Sequence, residues 1–209
     1  MPTFLNGIQE KRYKIPRTNR AHEALFRLAA NQAGHFTAEQ ARGLGVTDDL
    51  LHHYVTSGRF LRRRRAVYRL RDFPESRFED LAELILAAGA GAALSHETAL
   101  LVNDLTDLLP TVIHITVPRG SKRRVSDPRV RMHRHTLERA EIRRVNGLTA
   151  TTVTRALRDV AGRIDPEQFD LAVRDALAQG LTDRRKLRAV VGAAYGRTWR
   201  ALHRYLRTE

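Results

Sequence analysis

The chain has 209 residues, 42% hydrophobic and 29% charged, which places it among globular proteins and away from disordered or membrane-spanning classes. Its 37 Lys and Arg outweigh 23 Asp and Glu for a formal charge of +14, a balance that points to nucleic acid or another polyanion as partner. The lack of cysteine excludes disulfide frameworks, thiolate nucleophiles and cysteine zinc sites, and fits a reducing cytoplasm.

No window approaches the roughly 18 apolar residues of a membrane span, and "MPTFLNGIQEKRYK" does not follow signal-peptide order. A cytoplasmic protein without a membrane partner is therefore expected. Residues 1–71 hold 14 basic and 5 acidic side chains, so most of the excess charge lies in the first third.

The opening residues 1–20 read as a basic arm, with Lys11, Arg12, Lys14 and Arg17 placed for nucleic-acid or partner contact and Pro16 interrupting the run. A helical pattern follows in "AHEALFRLAANQAG", where Leu25, Phe26, Leu28 and Ala29 form an apolar stripe and Gly34 is a stop. Thr37 and Gln40 have capping-box spacing and predict a short helix over Ala38 to Arg42. Gly43 and Gly45 then allow a sharp turn. Thr47 is an N-cap for a third helix, "DDLLHHYVTSG", with acidic residues near its positive end and Gly58 at its stop. Helical spacing puts Leu51, Tyr54 and Val55 on one face and Asp49, His52, His53 and Thr56 on the other, free to meet a partner. "GRFLRRRRAVYRLR" (58–71) reads as a hairpin with its tip near Arg64 and Arg65.

Three short helices and a basic hairpin are the element order of a winged helix-turn-helix, in which the third helix enters the major groove and the wing lies on phosphates. The expected DNA contacts are Thr37, Gln40, Thr47, Asp49, His52, His53, Thr56, Arg59, Arg62, Arg63, Arg64 and Arg65. Arginine suits the wing because its planar fork binds phosphate oxygens in pairs. None of the helix residues is the Arg, Asn or Gln that commonly reads a base, so specificity is expected to be either modest or shared with arm and wing.

"DFPESRF" (72–78) marks a boundary before a fresh helix in "EDLAELILAAG". Beyond it come a helix in "SHETALLVNDL" capped by Ser95, strands in "TVIHITVP" and "RVRMHRH", a hairpin turn at Asn146–Gly147, and four C-terminal helices. The expected fold is α+β: a basic arm (1–20), a winged helix-turn-helix (21–73) and a mixed α/β domain with a small sheet and several helices (74–209). Trp199 and Tyr205, six residues apart, lie on different helix faces, and at least one is expected in the core.

With this order of elements in place, "GRFLRRRRAVYRL", "LSHETAL", "HITVPRG", "VRMHRHTL" and "NGLTATTVTRALRDVA" together resemble the AbiEi-type antitoxins and transcriptional regulators of bacterial toxin–antitoxin operons, especially actinobacterial forms, over roughly residues 20 to 180. The resemblance implies a repressor of its own operon that also counters a nucleotidyltransferase-like toxin, without catalytic activity or cofactor, as a monomer or weak homodimer. The runner-up readings are a regulator without a toxin partner and a metal-dependent nuclease. Two departures stand out. The family hairpin has glycine before the "VY" pair where this sequence has Ala66, and long relatives continue into a nuclease domain whereas this sequence stops at Glu209.

"GSKRRVSDPR" (120–129) invites comparison with a nucleotidyltransferase turn, but Asp127 follows too closely and Arg129 stands where a second carboxylate belongs. A basic loop is expected, with Lys122, Arg123 and Arg124 as further nucleic-acid or partner contacts. His114, His133 and His135 fall on neighbouring strands, yet no Asp or Glu at ligand spacing accompanies them, so exposed histidines and no metal are expected. Arg155 and Asp159, four apart on a helix, are read as a structural pair, worth roughly 0.3 kcal/mol if exposed.

Overall fold

A computed structural model describes residues 20–106, 111–192 and 197–206; the arm residues Lys11, Arg12, Lys14 and Arg17 and the side chain of Trp199 lie outside the described set. The N-terminal elements are α1 (Arg20–Ala30), β1 (His35–Thr37), α2 (Ala38–Gly43), α3 (Asp48–Thr56), β2 (Phe60–Arg64) and β3 (Val67–Leu70). The strands form an antiparallel sheet in the order β1-β3-β2. The three-residue β1, too short to show a period, was not expected from sequence. It places Phe36 at the centre of a small core with Leu25, Ala29, Val46, Leu51, Tyr54, Phe60 and Leu70. Phe36 meets Phe60 edge-on at 5.1 Å and stacks on Tyr68 at 5.8 Å between ring centroids.

The predicted caps at Thr37 and Thr47 form. The Thr37 hydroxyl accepts from Gln40 N (3.1 Å) while Gln40 Oε1 accepts from Thr37 N (2.8 Å), and the Thr47 hydroxyl accepts from Leu50 N (3.3 Å). The hairpin turns at Arg65–Ala66, one residue beyond its expected tip, with a register irregularity between Arg62 and Arg64. Ala66 takes φ 60°, the left-handed conformation that costs an alanine more than a glycine, and its carbonyl accepts from Ala38 N at 3.0 Å.

The remaining elements are α4 (Glu79–Ala88), β4 (Ala93–Leu94), α5 (His96–Val102), β5 (Ile113–Val117), β6 (Val130–Arg134), a 3-10 turn (Arg139–Glu141), β7 (Ile142–Val145), β8 (Leu148–Thr151), α6 (Val153–Val160), α7 (Pro166–Ala178), α8 (Arg184–Gly192) and α9 (Arg197–Leu206). A five-stranded mixed sheet runs β6-β5-β4-β8-β7, with β4/β8 and β5/β6 parallel. Every residue of β5 is buried, because the sheet is covered on both faces. The mixed α+β architecture thus contains two small sheets and two hydrophobic clusters, the second built mainly from residues 78–202 and flanked by Tyr205.

Asn146 and Gly147 have φ 51° and 78° and close the β7–β8 hairpin as predicted. Gly147 has a second reason to lack a side chain: a Cβ there would lie 2.8 Å from the backbone nitrogen of Ala33. One reading is corrected: Ser95 makes no side-chain cap and instead shares a hydrogen bond with His96. Arg155 pairs with Asp159 as its spacing predicts, and it is buried; it donates through Nε to both Asp159 oxygens (3.0 and 2.8 Å) and through Nη1 to both Glu141 oxygens (2.8 Å each).

The N-terminal hairpin is tied to α4 by buried charge. Arg69, 4% exposed, donates to the carbonyls of Leu70 (3.0 Å), Arg71 (3.1 Å) and Phe73 (2.7 Å) and to Glu79 (2.6 Å). Its guanidinium organises the predicted 72–78 boundary by gathering the carbonyls of Leu70, Arg71 and Phe73 and the Glu79 carboxylate around one cation.

Replacing Arg69 by Ala removes these hydrogen bonds and leaves Glu79 without this cation, and should lower the unfolding free energy by about 3 kcal/mol in urea titration. Arg69→Lys should recover only part of it, because one ammonium cannot span the set. Ala66→Gly should raise stability by about 0.5 kcal/mol, the relief of left-handed strain exceeding the added chain entropy of glycine. A higher urea midpoint at unchanged m-value is the expected observation.

Candidate nucleic-acid interface

Helix α3 divides as its periodicity requires. Leu51 and Tyr54 are buried, whereas Asp49, His52, His53 and Thr56 are exposed along one face, with Thr47 exposed at its start. The Thr47 hydroxyl is engaged as the cap, and the Thr56 hydroxyl donates to the His52 carbonyl at 3.0 Å. Asp48 accepts from Arg42 at 3.0 Å, which braces α2 against the start of α3. Arg59 follows the helix, exposed, with its guanidinium 5.5 Å from the Tyr54 ring centroid.

Thr37 and Gln40 fall elsewhere. Both are half-buried in the capping box, and the Gln40 amide also exchanges hydrogen bonds with Gln32 at 3.2 and 2.9 Å. Their polar atoms are spent on holding α2 against the end of α1. The structure therefore uses them as scaffold.

The four arginines of the hairpin separate into two kinds. Arg63 Nε donates to Glu83 Oε1 at 2.6 Å; Arg64 donates to Glu83 Oε2 (3.2 Å), Asp80 Oδ1 (2.7 Å) and Asp127 Oδ2 (3.4 Å). Glu83 is 5% exposed, and its hydrogen bond and charge raise the Arg63 pKa further above its ordinary value. Arg63, although exposed, and the half-buried Arg64 fasten the hairpin to α4, while Arg62 and Arg65 are exposed and make no ion pair among the described residues. A carboxylate inside the almost wholly buried helix "EDLAELILAA" was the sequence signal for this, since a buried Glu83 requires cationic partners.

The 120–129 segment lacks regular structure, as expected of a loop, and Lys122, Arg123 and Arg124 are exposed on it. Arg123 reaches Glu39 of α2 at 3.4 Å, which brings this loop beside the N-terminal unit. Asp127 is held by Arg129 through side-chain and backbone hydrogen bonds, which draw its carboxyl pKa down to about 2.

The strand histidines are the largest departure from the sequence reading. His114 is buried and His133 half-buried; His114 Nδ1 lies 2.9 Å from His133 Nε2, and His96 from α5 stacks on both at ring-centroid distances of 4.9 and 4.1 Å. His135 stays exposed, its Nδ1 near the Thr136 carbonyl (3.1 Å). His96 was missed because it lies far from the strands in sequence. Burial, then the neighbouring His133 and His114, pushes the His96 pKa down to about 3; burial lowers those of His114 and His133 as well.

Among comparisons with known proteins, residues 23–71 match the family described as "Transcriptional regulator, AbiEi antitoxin". None of the curated proteins searched matches the chain. The crystal structure of RV2827C protein from Mycobacterium tuberculosis has a similar fold, with a TM-score of 0.51 at 16% identity, covering 89% of this chain and 75% of that one. Among the described residues, no helix is long and apolar enough to cross a membrane. Over residues 23–71 the chain carries the sequence pattern of the AbiEi antitoxin transcriptional regulators.

Proposed function

We propose that residues 21–73 form a winged helix-turn-helix that binds operator DNA, and that residues 74–209 form the effector domain of an antitoxin and autorepressor. Residues 1–20 serve as a basic arm, and the toxin countered is nucleotidyltransferase-like. One observation supports the DNA-binding reading: α3 exposes Asp49, His52, His53 and Thr56, while Arg59, Arg62 and Arg65 stand exposed in the adjoining segment with no ion pair to a carboxylate among the described residues.

The reading divides the labour. Helix α3 enters the major groove, where Asp49 accepts from cytosine amino groups and the histidines offer ring nitrogens. Arg62 and Arg65 contact phosphates, which set register without selecting sequence. Lys122 and Arg124 extend the basic surface from the second unit, whereas Arg63 and Arg64 hold the hairpin at its angle.

Fluorescence anisotropy with the chain's own promoter duplex and an unrelated duplex tests this. The Arg62→Ala/Arg65→Ala double variant should bind both duplexes more weakly, with a shallower dependence of log K on log salt by about two. Unchanged affinity and slope would remove the wing from the interface. His52→Ala should instead weaken the promoter duplex more than the unrelated one. For the antitoxin role, co-expression with a neighbouring nucleotidyltransferase-like reading frame should restore growth; failure to restore it favours a stand-alone regulator.

A further inference from the structure

The second unit holds a polar cluster that DNA binding does not use. His96 begins α5, while His114 and His133 project from adjacent parallel strands, where His114 pairs with Arg131 and Thr116 with His133. One nitrogen from each of the three rings lies within 4.8 Å of the other two. The cluster opens into a cavity of about 790 Å³ whose lining includes all three histidines with Glu97, Arg131 and Arg163.

We propose that His96, His114 and His133 bind one divalent transition-metal ion of the zinc type, with a fourth position open to the cavity. Three features support this. The Glu97 Oε2 atom is buried without a hydrogen bond and stands 3.5 Å from His114 Nε2. A proton on that nitrogen turned toward the carboxylate leaves Nδ1 of His114 as a lone pair facing His133 Nε2, the tautomer a metal requires. In the metal-free protein the 2.9 Å contact between those nitrogens is then bridged by a proton on His133 Nε2, and ion entry requires that proton to move to Nδ1 of the same ring, which stays neutral and frees Nε2 as a ligand.

The backbone is the second feature. His96 adopts φ 54°, an uncommon conformation for a residue other than glycine, and it holds a buried imidazole against two others. A hydrophobic side chain would fill that space without bringing three polar rings out of water. The donor set is the third feature. Imidazole nitrogens suit zinc, cobalt and nickel; magnesium and calcium prefer an oxygen cage, and thiolates that select softer ions are absent. Three protein ligands with an open position are the arrangement of a site that exchanges its fourth ligand.

Cobalt(II) is the probe, added to the full-length chain purified without a histidine tag after chelator treatment. Visible absorption and equilibrium dialysis should show one ion per chain, displaced by zinc, with zinc raising the melting temperature. His114→Ala and His133→Ala should abolish the stoichiometric site, and His135→Ala should retain it. Glu97→Gln preserves side-chain shape and should weaken cobalt binding by about 10- to 100-fold through loss of ligand orientation. It also reads the site if the histidine variants fail to fold. A wild-type chain that takes up no stoichiometric ion would overturn the proposal, as would cobalt binding undiminished by Glu97→Gln or binding lost on His52→Ala/His53→Ala instead.

Discussion

The carboxylate of Glu83 is withdrawn from water and accepts from Arg63 at 2.6 Å and Arg64 at 3.2 Å, with His35 Nε2 a further 3.9 Å away. A charge so placed cannot be left unpaired, because removing one partner strands the other in a poorly solvated site. The hairpin is consequently held against α4, and Arg69 reinforces the same junction through Glu79 and three carbonyls. Arg64 extends it to Asp127 of the 120–129 loop. Orientation of the basic hairpin thus depends on both α4 and the 120–129 loop, and the basic surface it leaves exposed is set by which arginines this junction uses.

That arrangement changes what a run of four arginines means. Arg63 and Arg64 hold the hairpin, while Arg62 and Arg65 remain free to act outward. Charge alone cannot separate the two roles, since all four are the same residue in one short segment. The partners that separate them are 15 or more positions away, on α4 and on the loop before β6. A buried Arg155 shared between Glu141 and Asp159 repeats the lesson: its helical spacing to Asp159 was visible, but Glu141 lies on a 3-10 turn that no periodicity connects to it.

In the second unit, the sheet order brings distant segments together. β4 has only two residues, yet it joins the β5–β6 pair to the β7–β8 hairpin. Without that join the five-stranded sheet would divide. Parallel pairing of β5 with β6 puts His114 and His133 on one face, and the turn into α5 delivers His96 to the same place. Buried together, the rings favour their neutral forms, the protonation state in which an imidazole can act as a ligand.

The sequence by itself determined the local features: the Thr37–Gln40 and Thr47 caps, the two faces of α3, the Asn146–Gly147 hairpin and the basic character of the first third. Each depends on residues within a few positions of one another, where backbone geometry and side-chain period act directly. The resemblance to AbiEi-type regulators marked Ala66 as the departure in the hairpin, and the left-handed φ there shows why glycine suits that position. Tertiary structure alone decided that Arg63 and Arg64 face a buried Glu83, that β1 and β4 complete their sheets, and that three histidines meet. Those outcomes follow from burial and charge pairing between segments far apart in the chain, which no local pattern encodes.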